Sequence, residues 1–265
     1  FMEVLSELAH QAGISLPSLT SEDRQRITEV RTIEDILTET ARFYHQSLTA
    51  DVRYYLMQKR GFSEETISRF EIGYANGNLR GHLIDTLKFP VDLCLKSGVL
   101  KKAEGEGVRD YFYHRVIFPN LNRGRVVHMS GRSLDGQEPK YLHLPGELRY
   151  LYNEDALANR AVYIAEGIPY CLSAVQLGYP AVAILGSSNF KPEYLSKLSR
   201  CETVYLCLDG DRAGEEGALK IGGLIGGQAR IVSLPKGLDL NDYLKHHPKE
   251  DFENLVASAK DIIKY

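Results

Sequence analysis

The sequence predicts an α+β region followed by an α/β region whose parallel sheet is flanked by helices. Two observations carry this. Between Val162 and Asp211, short apolar runs alternate with segments of helical length, the pattern of βαβ units. Before residue 153, a long helical tract leads into aromatic and β-branched runs separated by glycine turns, with no βαβ alternation.

In chain order, residues 4–12 read as a helix, with Val4, Leu5, Leu8 and Ala9 on one face and Gly13 as its stop. Ser21 is placed to cap a long helical tract from Glu22 to near Thr49, with Ile33, Ile36, Leu37 and Ala41 suited to burial. Tyr54–Met57 continues as helix until Arg60-Gly61 breaks it. Ser63 opens a short helix ending near Phe70, and Phe70–Ala75 enters a strand. His82–Leu87 and Val91–Lys96 are helical. From Val99 the pattern is β, with runs at Tyr111–Tyr113, Val116–Pro119 and Val126–Met129. A linker spans Pro145 to Asn153. Three strands follow at Val162–Ala165, Ala181–Leu185 and Thr203–Leu208, with helices at Pro169–Leu177 and Pro192–Leu198 between them. A helix over Ala213–Leu224 ends at Gly226-Gly227, a fourth strand covers Ala229–Ser233, and an amphipathic helix runs from Pro248 to Lys260.

The chain has 265 residues, enough for one large domain or two small ones. A composition of 43% hydrophobic and 25% charged residues excludes a disordered chain. No apolar run approaches the ~20 residues of a membrane helix, so no membrane partner is expected. The net charge of −3 lends no support to a uniformly basic nucleic-acid binder and leaves any such role to local patches. Cys94, Cys171, Cys201 and Cys207 form no C-x-x-C pair, so no zinc site is expected; Cys171 and Cys207, in apolar contexts, read as small core residues, and a reducing cytoplasm is the expected setting. His246-His247 reads as a solvated turn.

The chemistry gathers at strand ends. The first strand of the βαβ region ends on Glu166-Gly167, and the third on Asp209, Gly210 and Asp211. Ligands of a parallel sheet bind beyond the carboxyl ends of its strands, so Glu166, Asp209 and Asp211 share that edge. Like charges there repel, and a divalent cation relieves the conflict; oxygen ligands favour Mg²⁺ or Mn²⁺. Asp-Gly-Asp is also an ordinary turn sequence, and only the repeated strand-end placement favours the metal reading.

Glu-Gly after one strand and Asp-x-Asp-x-x-Gly after a later one, here Asp209 to Gly214, resemble the TOPRIM domain of bacterial primases, type IA and II topoisomerases and some nucleases. Further stretches resemble the polymerase domain of DnaG-type primases. These are Tyr54–Ala75, Arg115–Pro119, Gly124–Val127, Ser130-Gly131-Arg132 and Pro139–Pro145, and the match covers most of residues 40–245. The resemblance implies a helical link from a zinc module over residues 1–40 and an α+β subdomain over 41–153. It implies a TOPRIM subdomain over 154–248 and the start of a C-terminal helical subdomain over 249–265. It further implies short RNA primers made on single-stranded DNA from ribonucleoside triphosphates, with a replicative helicase engaged through regions outside this match.

By the same resemblance, Glu166, Asp209 and Asp211 are catalytic and bind metal, with Asp239 and Asp242 as further metal ligands. Asp242 could instead cap a short helix. Asn241 stands where many members carry Asp. Arg115, Arg132, Lys140, Tyr141 and His143 match positions used for template and nucleotide phosphates, and His143 replaces a common Asn. Tyr170 replaces an Asp that usually follows the Glu-Gly pair, and is expected to loosen Glu166 or pack on Leu206 or Leu172. Another TOPRIM enzyme, nuclease-like, and a catalytically weakened single-strand-binding module are the alternatives.

Overall fold

Thr20, one residue before the expected cap, starts the first helix in the computed structural model, which describes residues 20–262. The expected helix over 4–12 lies outside these residues. The Thr20 side chain accepts from the Asp23 N–H while the Asp23 carboxylate accepts from the Thr20 N–H at 3.0 Å, a reciprocal capping box that Ser21 could not form with Asp23. Helix α1 (Ser21–Gln46) follows, then α2 (Ala50–Tyr54), a π turn (Tyr55–Lys59) and α3 (Glu64–Arg69). Gly61, at φ 73°, supplies the break between them.

The first sheet has strand order β1-β4-β5-β6, all antiparallel: β1 is Gly73–Ala75, β4 Arg115–Asn122, β5 Arg125–Ser133 and β6 Tyr141–His143. Helix α4 (Val91–Lys96) and a small hairpin of β2 (Leu100–Lys102) with β3 (Val108–Asp110) lie between β1 and β4 in sequence. The expected strand at Tyr111–Tyr113 is instead the connection from β3 to β4. Phe112 is buried there while Tyr113 is 52% exposed, an apolar run split between core and solvent. One face of this sheet, including Ile117 and Met129, packs on Ile36, Ala41 and Tyr44 of α1. Directly opposed residues across four strands put Tyr74, Val116, Arg132 and Tyr141 in one row on the other face. That face turns Val116 and Phe118 toward the second half of the chain, in the same core cluster as Ile168 and Leu172.

The second sheet has strand order β11-β10-β9-β7-β8. Its parallel strands are β7 (Ala161–Ala165), β8 (Ala181–Ala183), β9 (Thr203–Cys207) and β10 (Ala229–Ile231). The connections are α5 (Ile168–Gln176), α6 (Glu193–Leu198) and α7 (Arg212–Ile225). Side chains alternate with period two: Val162 and Ile164 face Leu198 and Ile221, while Tyr163 and Ala165 face Leu172 and Phe252. Helices α6 and α7 therefore cover one face. Helices α5, α8 (Leu240–His246) and α9 (Lys249–Ala257) cover the other. Both edges are partnered. Tyr152 bridges Ala183 of β8, and the two-residue β11 (Lys260–Asp261), unforeseen in the sequence, pairs antiparallel with β10. Among the described residues no helix is long and apolar enough to cross a membrane.

Candidate active site

Three segments leave the carboxyl edge of the second sheet carrying acids. Glu166 directly follows β7, and its carbonyl accepts from the Gly186 N–H at 2.8 Å, tying the ends of β7 and β8 together. Asp209 follows β9. Asp211 is the N-cap of α7, its Oδ1 accepting from the Gly214 N–H at 2.8 Å. Asp239 is the N-cap of α8 and accepts from the Asp242 N–H at 2.8 Å, so Asp239, not Asp242, caps this helix. Asp242 lies exposed in the first turn of α8.

The loop between the acids is crowded. A Cβ on Gly210 would stand 2.3 Å from the Pro235 carbonyl oxygen, and one on Gly214 would stand 2.1 Å from that of Asp209. The Gly210 N–H donates to the Leu238 carbonyl at 3.0 Å, which ties the Asp209 loop to the segment that delivers Asp239.

The result is a concentration of negative charge. Burial, then the charges of Glu166, Asp239 and Asp211, push the Asp209 carboxyl up to about 7. One oxygen of Asp209 is buried with no hydrogen-bond partner. These oxygen donors, one of them orphaned, fit a hard divalent cation. Glu166, Asp209 and Asp211 would hold it, with Asp239 beside them. Among the described residues no three His, Cys, Asp or Glu side chains already converge closely enough to hold an ion.

A cavity of about 210 Å³ opens between the two sheets, with Glu166, Tyr170 and Asp209 on one side and Tyr141 and His143 on the other. His143 is fixed by Ser130 Oγ, 2.8 Å from its Nδ1, and burial holds its pKa below the usual histidine value. Arg132 Nη1 donates to the Tyr141 hydroxyl at 2.8 Å. Tyr170 neither joins Leu206 in its cluster nor stands free. It packs at the rim of the cluster that contains Leu172, its ring lies within 3.5 Å of where a Gly167 side chain would begin, and its hydroxyl lies near the Asp209 and Asp239 carboxylates. Burial, then the charges of Asp209 and Asp239, raise its pKa far above the ordinary tyrosine value.

Two residues depart from expectation. Arg115 is 3% exposed, with Nη1 donating to the Pro139 carbonyl at 2.8 Å and lying 3.4 Å from that of Gly131. It braces the turn before β6 from below and cannot meet a phosphate. Asn241 is also buried; its Nδ2 donates to Ser173 Oγ at 2.7 Å and to the Arg60 carbonyl at 2.9 Å, away from the acids. Lys140 is exposed. Arg60 was not anticipated. It donates from Nε to the Tyr55 hydroxyl at 2.9 Å, and its charge reaches both Tyr141 and Tyr170. Only the fold brings it there, since Arg60 lies far from both in sequence.

Known proteins resemble this chain in sequence and in fold. Residues 41–154 match the DNA primase catalytic core N-terminal domain, and residues 163–244 match the Toprim-like domain. The chain belongs to the DnaG-type primase family. A DNA primase of Geobacillus stearothermophilus is 29% identical over 290 residues, covering 100% of this chain and 48% of the relative. One of Synechococcus elongatus is 31% identical over 293 residues, covering 98% of this chain and 42% of the relative. The chain thus spans about half the length of the curated primases it matches. A DnaG primase catalytic domain solved bound to ssDNA superposes with a TM-score of 0.78 at 29% identity, over 90% of this chain and 82% of that one. The boundary between the two matched domains falls at the 3₁₀ turn Glu154–Ala158, where the chain crosses from the first sheet to the second.

Proposed function

We propose that this chain is the RNA-polymerising core of a primase, adding ribonucleotides to a short primer on a single-stranded DNA template. The observation that carries this reading is the cavity shared by the two matched domains, with acids on one wall and Tyr141 and His143 on the other. The reaction joins a 3′ oxygen to the α-phosphorus of a ribonucleoside triphosphate and breaks its bond to the pyrophosphate. A bound Mg²⁺ or Mn²⁺ supplies activation of the hydroxyl and neutralisation of phosphate charge. Glu166, Asp209 and Asp211 hold that ion, and Asp239 adds a carboxylate at its border. Asp242 contributes through its backbone N–H, which orients Asp239. Tyr141 and His143 form the nucleotide-facing wall, Arg132 holds Tyr141 in place, and exposed Lys140 meets template phosphate. Arg115 keeps the turn that carries Lys140 in position. A replicative helicase is reached through regions outside the match, and the buried free thiols suit a cytoplasmic protein.

The test is incorporation of labelled ribonucleotide on a single-stranded template with Mg²⁺ or Mn²⁺. Template-dependent products that vanish in Asp209→Ala are expected. Cleavage of labelled nucleic acid without synthesis would assign the site to a nuclease.

A further inference from the structure

At the end of the first sheet opposite the cavity, three rings stack. Tyr113 and His114 lie 4.0 Å apart between ring centroids at an interplanar angle of 17°. His114 and Tyr74 lie 6.2 Å apart at 27°. His114 is exposed, and Tyr113 is 52% exposed. Exposed rings scattered singly need no explanation, but these are aligned.

They are also held. His114 sits at φ 50°, a conformation uncommon outside glycine, and its N–H donates to the Ala75 carbonyl at 2.9 Å. Tyr113 lies down on Gly77, where a Cβ would come within 2.7 Å of the ring. Tyr74 is fixed in β1 by pairing with β4. Strain kept at a surface position and spent on presenting rings points to use.

Tyr74 heads the cross-strand row Tyr74, Val116, Arg132 and Tyr141, and Tyr141 lines the cavity. Three strand spacings separate the ends of the row, about 14 Å. We infer that Tyr113, His114 and Tyr74 form a nucleobase-stacking platform for the single-stranded template at the edge of the first sheet, three strand spacings from the cavity, with buried Val116 between them. The inference rests on the proposed template-directed function and adds a second binding element to it.

The chemistry of the platform sets its signature. The contact it offers is a ring face, which any base can use and which releases no counterions. Binding energy from the platform is therefore insensitive to salt, unlike that from Lys140.

The experiment measures binding of a short and a long fluorescent oligodeoxythymidylate to the whole chain across a salt series. Tyr113→Ala should weaken the long oligomer about five- to tenfold, leave the short one unchanged, and leave the log–log salt slope unchanged. Tyr113→Leu keeps apolar packing on Gly77 without a π face and should show the same loss, which excludes misfolding as the cause. Tyr113→Trp should restore binding. If Tyr113→Ala and Tyr113→Leu bind the long oligomer within twofold of the parent, the platform is refuted while the catalytic reading stands. A loss accompanied by a flatter salt slope would make the site a phosphate contact and refute it equally. If the parent binds no single-stranded DNA, both the platform and the proposed function fall.

Discussion

Arg132 donates to the Tyr141 hydroxyl at 2.8 Å while its guanidinium carbon lies 5.4 Å from the centre of the same ring. One tyrosine is thus gripped at both its hydroxyl and its face by a residue directly opposite on the neighbouring strand. Arg132 is committed to Tyr141, and Lys140 is the more open cation. Lys140→Ala is expected to reduce the log–log salt slope of single-strand binding by roughly 0.7, with stability unchanged. Arg132→Ala should reduce affinity and also cost about 1 kcal/mol of stability as Tyr141 loosens. Salt titrations and urea unfolding of the two variants read both effects; identical profiles for the two would contradict the division.

Asp209 makes the metal-free protein sensitive to pH. Its folded pKa, about 7, lies above the ordinary 3.8, so its contribution is fully present below pH 3.8 and lost as pH rises through 7. Asp209 is only partly buried, and solvent screening reduces the effect to about 1–2 kcal/mol. At pH 8 in chelator, Asp209→Asn is expected to unfold at higher temperature than the parent, and Mg²⁺ to raise only the parent's melting temperature. A lower melting temperature for the variant in chelator would rule out repulsion at this loop.

His128 acts in the opposite direction. Burial, then the neighbouring His143, lowers its pKa from 6.5 to about 4, and its Nε2 has no partner. The unfolded chain therefore takes up a proton between pH 6.5 and 4 that the folded one refuses, and stability falls by up to about 3 kcal/mol as pH drops through that window. Melting curves of His128→Gln should lack this component between pH 4 and 6.5. An unchanged acid limb would place the loss elsewhere.

The Tyr170 hydroxyl lies near Asp239 at the edge of the acidic group. Tyr170→Phe keeps the ring and removes the hydroxyl, which frees the carboxylate. Affinity for Mn²⁺, read by electron paramagnetic resonance, is expected to rise severalfold, the equivalent of about 1 kcal/mol. Tyr170→Asp should raise it further and lower the melting temperature in chelator. A Phe variant with parental Mn²⁺ affinity would show that the hydroxyl does not restrain Asp239.

Arg115 is predicted to matter for folding and not for charge. Arg115→Ala leaves the Pro139 carbonyl without its donor and opens a space under the turn, at a cost of about 2–4 kcal/mol. Denaturant unfolding measures that loss. The salt slope of DNA binding should stay at the parental value, and a fall of roughly 0.7 would return Arg115 to the phosphate-binding set.

The parallel sheet was legible because β7, β8 and β9 are short apolar runs that each stop at a residue with a distinct chemistry, and Glu166, Asp209 and Asp211 fell at the expected edge. Asp239 was legible as an acid but not as the cap, because Asp239 and Asp242 are both good cap residues and only the start of α8 decides between them. Arg115 looked like any other arginine at the head of a β-branched and aromatic run. Its burial depends on carbonyls at Gly131, Pro139 and Lys140 that a linear chain does not show converging. The position of Arg60 beside Tyr141, and the pairing of β11 with β10, are likewise products of contacts across many residues. Tyr111–Tyr113 misled because three aromatics in a row suit a strand equally well whether their rings end in the core or on the surface.

The two-residue strand β11 bears on handling as well as on architecture. Lys260 and Asp261 occupy the backbone groups of Ile231 and Arg230 that would otherwise form the rim of the parallel sheet. A chain cut after Ser258 leaves those groups open, beside an apolar strand and with no charge of β11 to deter a neighbour. Such a fragment would retain every acid of the cavity, yet two molecules could join rim to rim. Its loss of activity on storage would then follow protein concentration and self-association, with the chemistry of the site intact.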